Sequence, residues 1–121
     1  MAGSLDIQVK RVQQPASADD GRRVLIDRLW PRGVSKDRAQ LDEWTRELAP
    51  SDELRRWFDH RPERFEEFRR RYMAELRDQR QTLSRLRRTA REGRLTILYG
   101  ARDTEHNNAV VLASVLRAGL R

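Results

Sequence analysis

The chain has 121 residues, enough for one domain with a modest core, and lacks the run of roughly 20 apolar residues that a membrane span requires. It has no cysteine, which removes disulfides, thiol nucleophiles and thiolate metal sites, and its two histidines leave little for a classical metal cluster. The 26 basic residues outnumber the 19 acidic ones for a net charge of +7, and Lys10 and Lys36 are the only lysines. That excess fits an anionic partner, small molecule or nucleic acid, and fits equally a solvated basic surface. The amino end, Met1-Ala2-Gly3-Ser4, has none of the charged and apolar regions of a signal peptide, so the expected location is the cytoplasm.

Leu5, Ile7 and Val9 alternate with polar neighbours and predict a half-buried strand from about Leu5 to Val12, at a sheet edge. Gln13 to Gly21 has the composition of turns, with Pro15, Ser17, Asp19, Asp20 and Gly21. It is short for a helical crossover, so it is either a stripped crossover between parallel strands or a link between antiparallel ones. Val24-Leu25-Ile26 is a second, buried strand that runs into Asp27-Arg28-Leu29-Trp30-Pro31-Arg32-Gly33-Val34-Ser35-Lys36. This decapeptide reads as a strand-to-helix loop, the kind of place where open α/β sheets bind ligands.

Ser35 then caps a helix with Leu41, Trp44 and Leu48 on one apolar stripe, ended by Ala49-Pro50. Ser51 caps a short second helix with Leu54, Trp57 and Phe58 on its buried face, and Asp59-His60-Arg61 turns the chain. Pro62 opens a third helix through Phe65, Phe68, Tyr72 and Leu76. A polar break at Arg77 to Thr82 precedes a fourth, through Leu83, Leu86 and Ala90, which Gly93 stops. Leu95 to Tyr99 is a clear buried strand, Gly100 to Asp103 a second strand-to-helix loop, and Thr104 the expected cap of a last helix bearing Ala109, Leu112, Val115 and Leu116. The order predicts a small three-strand α/β sandwich in a single domain over residues 1–121.

If the strands at Val24 and Leu95 are parallel neighbours, their loops share a pocket. One loop supplies Asp27, Arg28, Trp30, Arg32 and Lys36, and the other Tyr99, Arg102, Asp103, His106 and Asn107; His60 is a candidate for the same pocket. Arginine forks match phosphate or carboxylate oxygens, and free amides at the start of the last helix add anion affinity. The expected roles are Arg28, Arg32 and Lys36 on the anion, His106 as base, and Asp103 or Asn107 as its orienter. In the first turn of the last helix, His106 would sit where the dipole favours a neutral imidazole.

Structural readings stand beside these. Arg28 paired with Asp27 or Asp103 would clamp the loops, Trp30 would pack rather than stack on a base, and His106 would be a polar cap. Tyr72 is read as core with its hydroxyl bonded at the rim, and Trp44, Trp57, Phe65 and Phe68 are read as core. No nucleophile elbow, phosphate-binding glycine loop or paired-histidine spacing is present, so the usual enzyme signatures are absent; Asp103, Glu105, His106 and His60 stand as an alternative metal-ligand set, and no metal or other cofactor is assigned.

Val24 to Lys36, Trp57-Phe58-Asp59-His60 with Pro62 and Phe68, and Leu98 to Ala109 together carry a resemblance. The chain resembles the YeaO-like branch of the family called domain of unknown function 488, over nearly its whole length. The resemblance implies a small bacterial α/β protein, a three-layer Rossmann-like sandwich with a short, mostly parallel sheet, and favours the stripped crossover. The wider family often has cysteine at the position of Tyr99 and Cys-His-Arg where this chain has Asn107-Asn108-Ala109, so thiol and metal chemistry do not carry over. The Asp27-Arg28 pair and the Asp103 to His106 turn do.

The expectation is a protein that binds a phosphate-bearing ligand, a nucleotide or nucleic-acid end, between the two loops, with hydrolysis there left open. The alternatives are a non-catalytic nucleic-acid-binding or regulatory protein using Arg69, Arg70, Arg71, Arg85, Arg87 and Arg88, and a protein-protein adaptor.

Overall fold

The computed structural model describes residues 4–119. Strands β1 (Ile7–Arg11), β2 (Arg22–Leu25), β3 (Glu43–Trp44) and β4 (Leu95–Tyr99) form one sheet in the order β1-β4-β2-β3, every pair parallel. Five α-helices accompany it: α1 (Lys36–Ala39), α2 (Asp52–Phe58), α3 (Phe65–Leu76), α4 (Arg80–Glu92) and α5 (Asn108–Ala118). The α/β sandwich and parallel sheet agree with the sequence reading, and β3 is a fourth strand that it did not contain.

Period-two alternation sorts the strand residues between two clusters. Val24, Ile26, Leu95, Ile97 and Tyr99 join the main core with the apolar stripes of α2, α3, α4 and α5. Leu25 and Leu98 face the other way, onto Val12 and Ala39, under Trp30, Val34, Leu41 and Trp44. The layer on that second face is therefore thin, made of α1 and loops.

The first connection settles the question that the sequence left open. The ten residues from Val12 to Gly21 carry the chain across β4 to a parallel strand with only a 3-10 turn at Ala18–Asp20. Too short for a helix, the connection is fastened by Asp20, whose carboxylate is 2% exposed and accepts from Gln8 Nε2, Lys10 Nζ, Arg23 Nη1 and Ser17 N. Lys10 and Arg23 come from the two strands on either side of β4, and Thr96 Oγ1 of β4 donates to the Asp20 carbonyl. Gly21 leaves this turn at φ 63°, in the left-handed region that glycine adopts without strain.

The helix expected from Ser35 to Leu48 is replaced. Ser35 caps it, accepting from Arg38 N, but Gln40 ends it after one turn in the left-handed conformation. Asp42 then bonds to Arg23 through both its backbone and its carboxylate, and the chain pairs as β3 on the sheet edge. Leu41 and Trp44 belong to the thin-layer cluster while Leu48 belongs to the main core, so the apparent stripe never lay on one face. Trp57 is half-buried rather than core, with Arg71 at 4.3 Å from its ring centroid. Tyr72 is fully buried, its hydroxyl donating to the Leu48 carbonyl inside the core rather than at a rim.

Candidate anion-binding cleft

A cleft of about 950 Å³ opens at the carboxyl ends of three adjacent strands. Arg11 and Gln13 reach it from the end of β1, residues 27–33 from β2, and Gly100 to Asn108 from β4; Arg55, Phe58 and His60 close one side from α2 and the turn after it. Parallel strands point their loops the same way, so one sheet edge collects them all.

Asp27 joins the two principal loops at the floor. Its carboxylate accepts from Gly100 N at 2.9 Å and from Asn108 Nδ2 at 3.1 Å, and its carbonyl accepts from Trp44 Nε1 at 2.7 Å. Burial pushes this carboxyl above its ordinary value of 3.8, against the lowering effect of Asn108, Gly100 and His60. A Cβ at position 100 would lie 3.0 Å from Asp27 Oδ2 and 3.2 Å from Pro31, so a larger residue would push these neighbours back by a few tenths of an ångström.

Asp103 and His106 form a pair on the second loop. Asp103 Oδ1 accepts from Glu105 N at 2.9 Å and His106 N at 3.0 Å, and its Oδ2 lies 2.9 Å from His106 Nδ1. The two backbone amides and the imidazole hold the Asp103 carboxyl below its ordinary range. A carboxylate can only accept, so Nδ1 carries the proton and Nε2 is the nitrogen left for a ligand. The ring is set edge-on to Phe65, with centroids 5.1 Å apart.

These bonds correct the expected helix start. Asp103 draws the amides after it into a tight turn, and the cap falls on Asn107, whose side chain accepts from Val110 N, so that α5 begins at Asn108 and not after Thr104. His106 thus precedes the helix instead of lying in its first turn. Asn107 also donates to the Asp103 carbonyl at 2.9 Å, which commits both ends of its amide to backbone and leaves it a structural clamp at the cleft wall.

The cations divide by partner. Arg28 lies 3.6 Å from Asp52 and donates to the Pro50 carbonyl, so it pairs with neither Asp27 nor Asp103. Arg55 pairs with the same Asp52 at 3.3 Å. Arg11 donates through Nε to the Ala101 carbonyl and has no carboxylate partner among the described residues. Arg32 and Arg102 are exposed and have neither a hydrogen bond nor an ion pair among the described residues.

Of the remaining site residues named from sequence, Trp30 lines the cleft with its indole N–H spent on the Val34 carbonyl and its ring edge-on to Trp44 at 5.3 Å. His60 shares the cleft with His106; it and Asp59 have φ of 54° and 50°, a left-handed pair of non-glycine residues costing roughly 1–2 kcal/mol each. Lys36 and Tyr99 are not part of the lining: Lys36 is exposed on α1, and Tyr99 is buried in the core, where desolvation raises its hydroxyl above 10. Among the described residues no group of three or more histidines, cysteines or carboxylates is placed to hold a metal ion. No helix among them is long and apolar enough to cross a membrane.

Sequence reasoning missed Arg11, Gln13 and Asn108. The first two sit at the end of a strand assigned to an edge, and only its parallel pairing with β4 brings them to this sheet end. Asn108 carried a signal in the Asn107-Asn108 pair that opens the last helix, one amide capping it and the other reaching back to Asp27.

Comparison with known proteins finds relatives along nearly the whole chain. Residues 6–121 match the family DUF488-N3i, described as the inactive DUF488-N3 subclade. The uncharacterized protein YeaO of Escherichia coli (strain K12) is 46% identical over 114 residues, covering 94% of this chain and 99% of that protein. The uncharacterized protein Rv3073c of Mycobacterium tuberculosis (strain H37Rv) and Mb3100c of Mycobacterium bovis are each 42% identical over 110 residues, covering 91% of this chain and 92% of theirs. No solved structure matches.

Proposed function

We propose that this chain, which belongs to the DUF488-N3i family in the YeaO-like part of domain of unknown function 488, is a binding protein for a phosphate-bearing ligand, a nucleotide or a nucleic-acid end, held between the loops after β2 and β4. The observation that carries this reading is the pair of cations without partners among the described residues, Arg32 and Arg102, at a cleft whose two aspartates are already engaged. Guanidinium groups without a carboxylate are the natural seats of phosphate oxygens, and Arg11 is a third on the same rim. His106 Nε2 and the Asp103 behind it complete the polar wall, positioning the ligand in a subclade described as inactive.

Titration calorimetry of inorganic phosphate, nucleoside phosphates and a short 5′-phosphorylated oligonucleotide, repeated with Arg32→Ala and Arg102→Ala, tests the proposal. Loss of about tenfold or more in affinity per arginine is the expected result, corresponding to about 1.4 kcal/mol. Unchanged affinity in both variants removes the site.

A nucleic-acid surface on the helices is less favoured, because its arginines are largely engaged. Arg69 lies 3.8 Å from Glu66, Arg70 and Arg71 both pair with Glu67, Arg85 forms two bonds to Glu43, and Arg87 donates to the Leu116 carbonyl, which leaves Arg88 alone of the six without a partner among the described residues. Hydrolysis at the cleft has one feature in its favour, the Asp103–His106 pair, which resembles a base and its orienter. Phosphate release by the wild type that His106→Ala abolishes would establish turnover; equal release by both proteins leaves binding as the activity.

A further inference from the structure

The size and walls of the cleft say what the phosphate is attached to. A phosphate ion fills roughly 100 Å³, the space of about three waters, in a cleft of about 950 Å³. The rest of the lining is largely carbon: Leu29, the one large hydrophobic side chain exposed among the described residues, at 59%, together with Trp30, Pro31 and Ala101. A free phosphate would leave these walls wet around a half-empty cleft.

Resting on the anion-binding reading above, we propose that the ligand is a small phosphomonoester on a flat, apolar or aromatic body, of the size of a mononucleotide. Its phosphate meets Arg32 and Arg102, and its body lies against the Leu29–Trp30 lip. Two features favour a small molecule over a long polymer. The cleft volume falls in the range of roughly 300–1,000 Å³ that encloses a compact ligand, and of the helix arginines that would follow a continuing backbone, Arg69, Arg70, Arg71 and Arg85 are paired with Glu66, Glu67 and Glu43. The two exposed-to-half-buried imidazoles, His60 and His106, stand beside a cluster of Phe58, Phe65 and Phe68, which places polar edges and ring faces together for a body that presents both.

Roughly 60 Å² of apolar surface removed from water is worth a factor of about ten in affinity, so one face of a phenyl ring suffices for a readable difference. Binding of phenyl phosphate, inorganic phosphate, a nucleoside 5′-monophosphate and the same nucleoside without phosphate is followed by calorimetry and by tryptophan fluorescence, in the wild type, Leu29→Ala and Arg32→Ala. Phenyl phosphate and the nucleotide should bind at least tenfold tighter than inorganic phosphate. Leu29→Ala, at an exposed position outside the core, should cut that advantage several-fold while leaving inorganic phosphate unchanged; Arg32→Ala should weaken all three anions.

Inorganic phosphate binding as tightly as phenyl phosphate, with both weakened by Arg32→Ala, overturns this inference and leaves the anion site standing. A nucleoside that binds as tightly as its monophosphate, or no response to any anion, overturns both. A short oligonucleotide that binds much more tightly than the mononucleotide, with a steep salt dependence, also overturns the small-molecule inference.

Discussion

Asp27 is where the architecture of the cleft and its electrostatics meet, and its replacement separates the two. In Asp27→Ala the Gly100 N–H loses its acceptor, while Asn108 keeps a contact at 3.3 Å to the Ile26 carbonyl. One stranded buried donor costs about 1–3 kcal/mol, so the alanine variant should lose about 2 kcal/mol. Asp27→Asn retains an oxygen for Gly100 and gives up only the contact to Asn108 Nδ2, so near neutral pH it should remain within about 1 kcal/mol of the wild type.

The pH dependence carries the sharper test. Burial raises the folded carboxyl above 3.8, so between 3.8 and the folded value the native state binds more protons than the unfolded chain. The stability contributed by this group is therefore complete below 3.8 and lost as pH rises through the folded value, at up to about 1.36 kcal/mol per pH unit. Urea denaturation followed by tryptophan fluorescence from pH 3.5 to about 8 should show the Asn variant gaining on the wild type as pH rises across that window, then running parallel to it. Curves that stay parallel from the lowest pH upward would refute a desolvated carboxyl at the floor. The same substitution removes a negative charge beneath the anion, so it should tighten phosphate binding, by the opposite sign to Arg32→Ala.

Asp20 behaves in the reverse sense: its carboxyl is lowered from 3.8 to about 2 by Lys10, Ser17, Arg23 and Gln8 outweighing its burial, so its stabilisation is present above 3.8 and lost as pH falls through about 2. That amounts to about 2 kcal/mol, and Asp20→Ala, which strands Arg23 at 4% exposure, should cost about 3–5 kcal/mol in urea unfolding. Asn107→Ala should lose about 1–2 kcal/mol by removing the cap on α5 and the tie to Asp103, seen as a lower Tm, whereas Asn107→Asp keeps the acceptor for Val110 but turns a carboxylate oxygen toward the Asp103 carbonyl, so it should recover only part of the loss. Gly21→Ala places a Cβ against the Arg94 backbone carbonyl at φ 63° and should destabilise by more than 1 kcal/mol, read as a lower urea midpoint without change in slope.

Much of the frame was legible because local signals and tertiary demands coincide. The buried run Leu95 to Tyr99, the stripe Phe65, Phe68, Tyr72 and Leu76, the break at Arg77 and the caps Ser35 and Ser51 are all present at those residues. In each, one period of apolar residues meets one core surface, and the chain has no competing arrangement. Hydrophobic periodicity misled at Leu41, Trp44 and Leu48, where a spacing of three and four arises from a strand and a 3-10 turn facing opposite sides of the sheet. The capping preference misled at Thr104, because Asp103 already accepts from the His106 amide that a threonine cap would have taken.

The sequence by itself determined the net positive charge of the chain, the two strand-to-helix loops and the identity of most residues on them, because these follow from composition and from apolar runs that end in polar turns. Only the tertiary structure decided which cations are free. Pairing is a matter of distance between segments remote in the chain, and it assigned Arg85 to Glu43 and Arg28 to Asp52 while leaving Arg32 and Arg102 without partners among the described residues. The order β1-β4-β2-β3 likewise lies beyond local propensity: placing β4 between the first two strands is what brings Arg11, Asp27, Gly100 and His106 to one edge and makes a cleft of three separate loops.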